Sequence, residues 1–235
     1  MGIYVNPGNT AFKEAVNSLI YVDKSELISY MNQCLNTVQK NICVSRPRYF
    51  GKSMAADMLV AYYSRGCRSK ALFSGRKAEK GASFSRHLNR HNVIRLDMQR
   101  FLESGRGLAT YIAEIERKVI RELRETFPRC SGFGGEDRLK EAFEQIFRRT
   151  KKRFIFIIDE WDWVFRTARE QREAQRAYLD FLGGLLKGAE YVELVYMTGI
   201  LPVKKYGEDS LLPDFEEDSM MAPGELAGMF GFTGE

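Results

Sequence analysis

The stretch Asn41-Ile42-Cys43-Val44-Ser45-Arg46-Pro47-Arg48-Tyr49-Phe50-Gly51-Lys52-Ser53 decides how the chain is read. Asn41 to Val44 is a short apolar strand ending in Ser45. From Lys52 onward, Met54, Met58, Leu59 and Tyr62 recur at the spacing of a helix's buried face, and the pattern stops near Gly66. Between strand and helix, the loop keeps the second half of G-x-x-x-x-G-K-[ST] and carries Arg46 in place of the first glycine. A strand that feeds a tight loop into a helix N-terminus aims backbone N–H groups and the helix dipole at an anion. Gly51 permits close backbone approach, Lys52 reaches β- and γ-phosphates, and the Ser53 hydroxyl is a magnesium ligand by type. The candidate ATP contacts are therefore Arg46, Pro47, Arg48, Tyr49, Phe50, Gly51, Lys52, Ser53 and Met54. A glycine-lysine-hydroxyl triplet arises by chance in about one chain in ten at average residue frequencies. Its place between an apolar strand and a helix is what gives it meaning.

A second feature lies about a hundred residues on. Phe154-Ile155-Phe156-Ile157-Ile158 is a continuous apolar run, as expected of a strand covered on both faces in a parallel sheet, and Asp159-Glu160 follows it. An aspartate at such a strand end is placed to hold Mg²⁺ beside the phosphate loop. Glu160 is placed to take a proton from an attacking water. The plain alternative is a pair of acids capping the next turn. A third element, Thr198-Gly199, closes the β-rich run that starts at Tyr191; Thr198 is a candidate to sense the γ-phosphate or orient water, and equally an ordinary strand exit.

The remaining pattern alternates strands with helices. A helix is expected from an N-cap at Asp23, with Glu26 completing a capping box, to about Leu35. A loop-rich region from Cys67 to His91 leads to a strand over Asn92 to Asp97. Amphipathic helices are expected at about Leu108 to Thr126 and Asp137 to Arg149, separated by Pro128 and the break Ser131-Gly132-Phe133-Gly134-Gly135. Another helix runs from about Glu170 to Lys187. This order implies βαβ units and an α/β fold, a parallel sheet flanked by helices. Residues 201–235 are rich in Gly, Pro, Asp and Glu and read as an irregular C-terminal tail, a lid or linker beside a core of residues 1–200.

Bulk composition narrows the rest. The 235 residues are 44% hydrophobic and 29% charged, ordinary for a globular protein, and no apolar run approaches the roughly 20 residues of a membrane span. The N-terminus lacks the pattern of a signal peptide, so the expected location is the cytoplasm. Cys34, Cys43, Cys67 and Cys130 have no zinc-type spacing. His87 and His91, the only histidines, sit in a polar stretch and read as surface residues. A net charge of +5 permits nucleic-acid contact without requiring it.

Taken together, these segments resemble the AAA-ATPase-like family of prokaryotic P-loop proteins. The likeness is carried by Tyr21-Val22-Asp23-Lys24-Ser25, the loop Ser45 to Ser53, Leu72-Phe73, Ile158-Asp159-Glu160-Trp161-Asp162 and Tyr196-Met197-Thr198-Gly199-Ile200-Leu201-Pro202. Lys204-Lys205-Tyr206 and Gly231-Phe232-Thr233 add to it. The family's loop reads S-R-P-R-x-F-G-K-S, so Arg46 is its usual residue. The resemblance implies a P-loop NTPase of the ASCE type, with a catalytic glutamate (Glu160) after the Walker B aspartate (Asp159). It also implies a strand between those of the loop and the acids, which supports a sensor role for Thr198.

Family members often continue into a nuclease-like domain, so the chain is expected either to be a fragment or to lack that effector. Tyr21-Val22 frames the adenine or staples the following helix; Trp161 and Trp163 pack or stack on a base; Asp162 supports the site or is solvated. Arg46, Arg48, Arg148, Arg149, Arg153 and Arg166 are candidates for an arginine finger donated within a homo-oligomer. The expected activity is Mg²⁺-dependent ATP hydrolysis that switches a partner or effector. The alternatives are a nucleotide-gated module with little hydrolysis of its own and a nucleic-acid adaptor.

Overall fold

The computed structural model describes residues 2–101, 110–130, 138–205 and 211–231. The break Ser131 to Gly135, the start of the helix expected from Leu108, Tyr206 and Phe232-Thr233 lie outside the described residues. In chain order the main elements are α1 (Thr10–Val16), α2 (Glu26–Cys34), β1 (Asn41–Ser45), α3 (Lys52–Tyr63), α4 (Lys70–Phe73), α5 (Phe84–His87), β2 (Asn92–Asp97), α6 (Tyr111–Thr126), α7 (Leu139–Thr150), β3 (Phe154–Asp159), α8 (Trp163–Thr167), α9 (Arg172–Leu186), β4 (Val192–Gly199) and β5 (Glu216–Ser219). The five strands form one sheet in the order β2-β3-β4-β1-β5, and every neighbouring pair is parallel.

Side-chain alternation explains why helices cover both faces. In β3, Phe154, Phe156 and Ile158 pack with α6, α7 and α9, whereas Ile155 and Ile157 point into a second core with α2 and α3. β4 divides the same way, with Val195 and Met197 on one side and Leu194 and Tyr196 on the other. A strand that is buried on both faces must be apolar throughout, which is why β3 reads as an unbroken apolar run. α6 meets the first core with Tyr111, Ile115, Val119 and Leu123, a spacing of four that keeps one stripe inward.

Several expectations change. Asp23 is not an N-cap: α2 starts at Glu26, and the Asp23 carboxylate instead accepts the N–H of Ser25 at 3.1 Å and of Lys77 at 2.9 Å, clasping two loops. Met54 is 40% exposed, because α3 turns that side toward a cleft and not toward the core. His87 and His91 are half-buried and linked; His91 Nδ1 lies 3.0 Å from a Glu193 carboxylate oxygen and its Nε2 lies 3.0 Å from His87 Nδ1. The region from Cys67 to His91 contains the short helices α4 and α5, and α8 was not foreseen.

The largest correction concerns the tail, which is not wholly irregular: Glu216–Ser219 becomes edge strand β5, in register with β1 from Ile42↔Glu216 to Ser45↔Ser219. Asp and Glu are poor strand formers, so the pattern gave no sign of it. Tertiary charge pairing overrides that preference. Asp218 forms a buried ion pair with Arg46, their side chains 5% and 3% exposed, and also accepts the Gly224 N–H at 2.7 Å. Glu217 accepts the Ser45 hydroxyl at 3.2 Å and the Val203 N–H at 2.8 Å.

Removing one member of a buried ion pair strands the other charge in the interior. Asp218→Ala is therefore expected to lower the free energy of unfolding by about 3 kcal/mol in urea titration. A loss under about 1 kcal/mol would contradict the anchoring of β5 through Arg46.

Candidate functional site

Parallel pairing brings the C-terminal ends of β1, β3 and β4 to one edge of the sheet. Ser45 lies opposite Gly199 and Ile158 opposite Met197, with β4 between the other two. From Ser45 the chain turns into α3 through Arg46 to Gly51, and the Arg46 N–H donates to the Gly199 carbonyl at 3.1 Å. Gly51 takes φ +76°, which costs glycine little. Tyr49 takes φ +69° and is 96% exposed, a conformation an aromatic residue rarely adopts. Lys52, the first residue of α3, is buried, and its Nζ donates to the carbonyls of Arg46 at 2.9 Å and Pro47 at 2.8 Å. Burial lowers its pKa against the pull of Glu160 and Asp159.

Across the cleft, Asp159 is almost fully buried. Its carboxylate accepts hydrogen bonds from the Thr198 hydroxyl and from Arg95 Nη2 at 3.0 Å, and the nearby Ser53 hydroxyl helps to hold its pKa down. Burial alone would raise the Asp159 pKa; the Arg95 guanidinium and these hydrogen bonds outweigh it, and the net shift is downward. Arg95 also reaches Asp57 of α3 at 3.3 Å. Glu160, the first residue past β3, adopts φ +54°. It pairs with Arg166 of α8, which also lies 3.1 Å from Asp162. Burial raises the Glu160 pKa, with Arg166 opposing the rise.

Two pockets meet at the loop. One is polar and lined by Arg48, Lys52, Ser53, Glu160 and Arg166 among others. The other is apolar, with Tyr21, Phe50, Met54, Met58 and Phe230 in its walls. Tyr49, Gly51 and Met54 border both.

The expected site residues thus fall into one cluster. Lys52, Ser53, Asp159, Glu160 and Thr198 meet at the strand ends; Arg48, Tyr49, Gly51 and Met54 rim the cleft; Phe50 faces the apolar side. Arg46 turns away from the cleft to Asp218, and Pro47 contributes its carbonyl to Lys52. Trp161 is fully buried against Phe165 and packs within the fold, whereas Trp163 is half-buried, stacks on Tyr111 at 6.0 Å and lines the polar cleft. Asp162 is fully buried and accepts the N–H groups of Ile200 and Leu201, fixing the exit of β4.

Arg95 was missed. A lone arginine between apolar residues in a strand carries no spacing signal, although a charge at a covered strand position is itself a hint of a buried partner. Arg148, Arg149 and Arg153 bind elsewhere: Arg148 faces Glu144, Arg149 the Arg129 carbonyl and Arg153 Asn36.

Comparison with known proteins adds one result. Residues 8–207 match the model of the AAA-ATPase-like family, described as predicted AAA-ATPase, and the chain belongs to that family. No curated protein matches it. No helix among the described residues is long and apolar enough to cross a membrane.

The left-handed backbone at Tyr49 suggests a direct measurement. Tyr49→Gly removes the Cβ from a strained φ at the cost of glycine's greater unfolded entropy, so a net gain of up to about 1 kcal/mol in unfolding free energy is expected. A loss larger than glycine's entropic cost of about 1 kcal/mol would show that the loop is not strained there.

Proposed function

We propose that this AAA-ATPase-like chain binds ATP with Mg²⁺ at the Ser45 to Ser53 loop and hydrolyses it with Glu160 as general base. The observation that carries this reading is the meeting of Lys52 and Ser53, at the start of a helix, with Asp159 and Glu160 at the end of a neighbouring strand, and with Thr198 between them. The strand order, with one strand between those of the loop and the acids, supports assignment to the ASCE class of P-loop NTPases.

In this reading the start of α3 and Lys52 hold the phosphates, Lys52 exchanging its two loop carbonyls for phosphate oxygens. The Ser53 hydroxyl and the Asp159 carboxylate suit magnesium: both are hard oxygen donors, and they lie close together. Among the described residues no three His, Cys, Asp or Glu side chains gather into a metal cage. Magnesium at a triphosphate needs no such cage, since it takes one or two protein oxygens, waters and the phosphates. When bound, the ion supplies neutralisation of charge on the phosphate oxygens. Glu160 accepts the proton of the attacking water, and Thr198, donating to Asp159, keeps that carboxylate in its ionised, oriented form. We read residues 1–200 as the ATPase core and 201–235 as a lid or linker segment that also lends the core sheet its edge strand β5.

A second reading, a nucleotide-gated module that turns over slowly by itself, is favoured by the Arg166–Glu160 pair, which occupies the proposed base.

Two variants test the proposal. Lys52→Ala is expected to weaken ATP binding at least a hundredfold by calorimetry. Glu160→Gln should keep ATP bound while steady-state phosphate release falls about a hundredfold or more. Unchanged turnover in the glutamine variant would remove Glu160 from the base role.

A further inference from the structure

The proposed nucleotide cleft uses one end of the sheet, and the opposite end carries a different chemistry. Because every strand runs the same way, all their starts share that edge. The length of β3 sets it about 17 Å from Asp159. Lys40 precedes β1, Arg90 and His91 precede β2, and Lys151-Lys152-Arg153 precede β3. The ends of two helices add to the row. Arg65, past α3, donates from Nη1 to the Asn92 side chain at 3.3 Å, and Arg129, past α6, offers its carbonyl to Arg149 at 3.1 Å.

These cations are not neutralised by their surroundings. Arg65, Arg90, Arg129, Lys151, Lys152 and Arg153 are exposed, and among the described residues none of them forms an ion pair. Their side-chain partners are neutral, Asn92 for Arg65 and Asn36 for Arg153. Lys40 Nζ donates to the Val192 carbonyl at 3.0 Å, and its pKa is lowered by burial and by the nearby Arg153 guanidinium. Like charges thus face each other across the start of the sheet. Glu190 and Glu193 lie at the start of β4, and Glu193 is already held by His91 at 3.0 Å and by Asn36 at 3.1 Å. A basic residue in a helix's last turn complements the helix dipole, but Arg90, Lys152 and Arg153 stand beyond those turns. The face is also concave: Arg65, Lys152, Asn92 and Thr126 line a groove with the backbone of Gly2 and Gly66.

We propose that this end of the sheet binds the phosphate backbone of double-stranded DNA, with Arg65 and Lys152 holding a phosphate in the groove and Arg90, Lys151 and Arg153 beside it. The row from β2 to β1 crosses three strand spacings, about 14 Å, and duplex DNA carries about eight charges over that length of axis. Phe127 borders the groove but packs edge-on against Phe154, so charge and not a stacking platform dominates, which favours a duplex over a single strand. Recognition of an RNA duplex adds contacts to its 2′-hydroxyls. The amides on this face are already engaged, Asn92 by Arg65 and Asn36 by Arg153 and Glu193.

The test follows the anisotropy of a labelled duplex of about 20 base pairs and mixed sequence, titrated with the full chain at about 50 to 200 mM salt. No nucleotide is added, so the outcome does not depend on the ATP assignment. Binding should be micromolar at the lowest salt, and log affinity should fall against log salt with a slope of about −4.5, as five cations each neutralise one phosphate. The double variant Arg65→Gln, Lys152→Gln should shrink that slope by about 1.8 and weaken binding at least about tenfold at the lowest salt. Arg172→Gln with Lys140→Gln removes the same charge from exposed first turns of α9 and α7, and should weaken binding less than about threefold.

No binding at the lowest salt would overturn the proposal. An equal loss in both double variants would also overturn it, by reducing the effect to net charge. Tighter binding of a single strand of the same length, or binding of phosphatidylglycerol vesicles without binding of DNA, would overturn it in favour of another partner.

Discussion

The carboxylate of Asp159 lies buried where β2, β3, β4 and α3 come together, and each of those elements supplies something to it. Thr198 donates from β4 and Arg95 from β2, and Ser53 of α3 lies beside it. Arg95 in turn reaches Asp57 on α3, so one guanidinium spans two carboxylates. Taking an ion out of water costs several kcal/mol unless its charge and lone pairs are met. Here they are met only if the parallel register puts Asp97 beside Asp159 and Ile158 beside Met197. Sheet register and site geometry are thus one constraint, and a slip of one residue would leave a charge unpaired in the core.

The same economy of charge extends around the cleft. Lys52 rests on the carbonyls of its own loop, Arg166 on Glu160 and Arg46 on Asp218. On the proposed function, phosphate binding here is an exchange of partners, not the filling of an unpaired field. Two residues on opposite sides of the cleft, Tyr49 and Glu160, hold left-handed backbone conformations that side chains disfavour. Strain of this kind persists where the surrounding structure imposes it, and it concentrates at sites that bind or react.

Much of this was legible in the chain because it rests on local rules. The unbroken apolar run Phe154 to Ile158 announced a strand covered on both faces, and the break in apolar pattern at Ser45 announced the loop. The elements that were misread are those whose state is set by a distant partner. Glu216–Ser219 is an acidic segment that becomes a strand because Arg46 and the backbone of β1 are waiting for it. Asp23 has the spacing of a helix cap, yet it clasps Lys77, 54 residues away. His87 and His91 looked solvated until Glu193, from the start of β4, closed on them.

The sequence alone determined the α/β alternation, the loop between β1 and α3, and the acids at the end of β3, since periodicity and turn chemistry act over a few residues. It also named Lys52, Ser53, Asp159, Glu160 and Thr198 as belonging together. Only the tertiary structure decided which partners those groups hold, that Arg95 neutralises Asp159, that Arg166 holds Glu160, and that the tail returns to wall the apolar pocket. Those outcomes depend on the strand order β2-β3-β4-β1-β5 and on burial, which set distances between residues far apart in the chain. Coulomb and desolvation energies follow those distances, and local sequence pattern does not encode them.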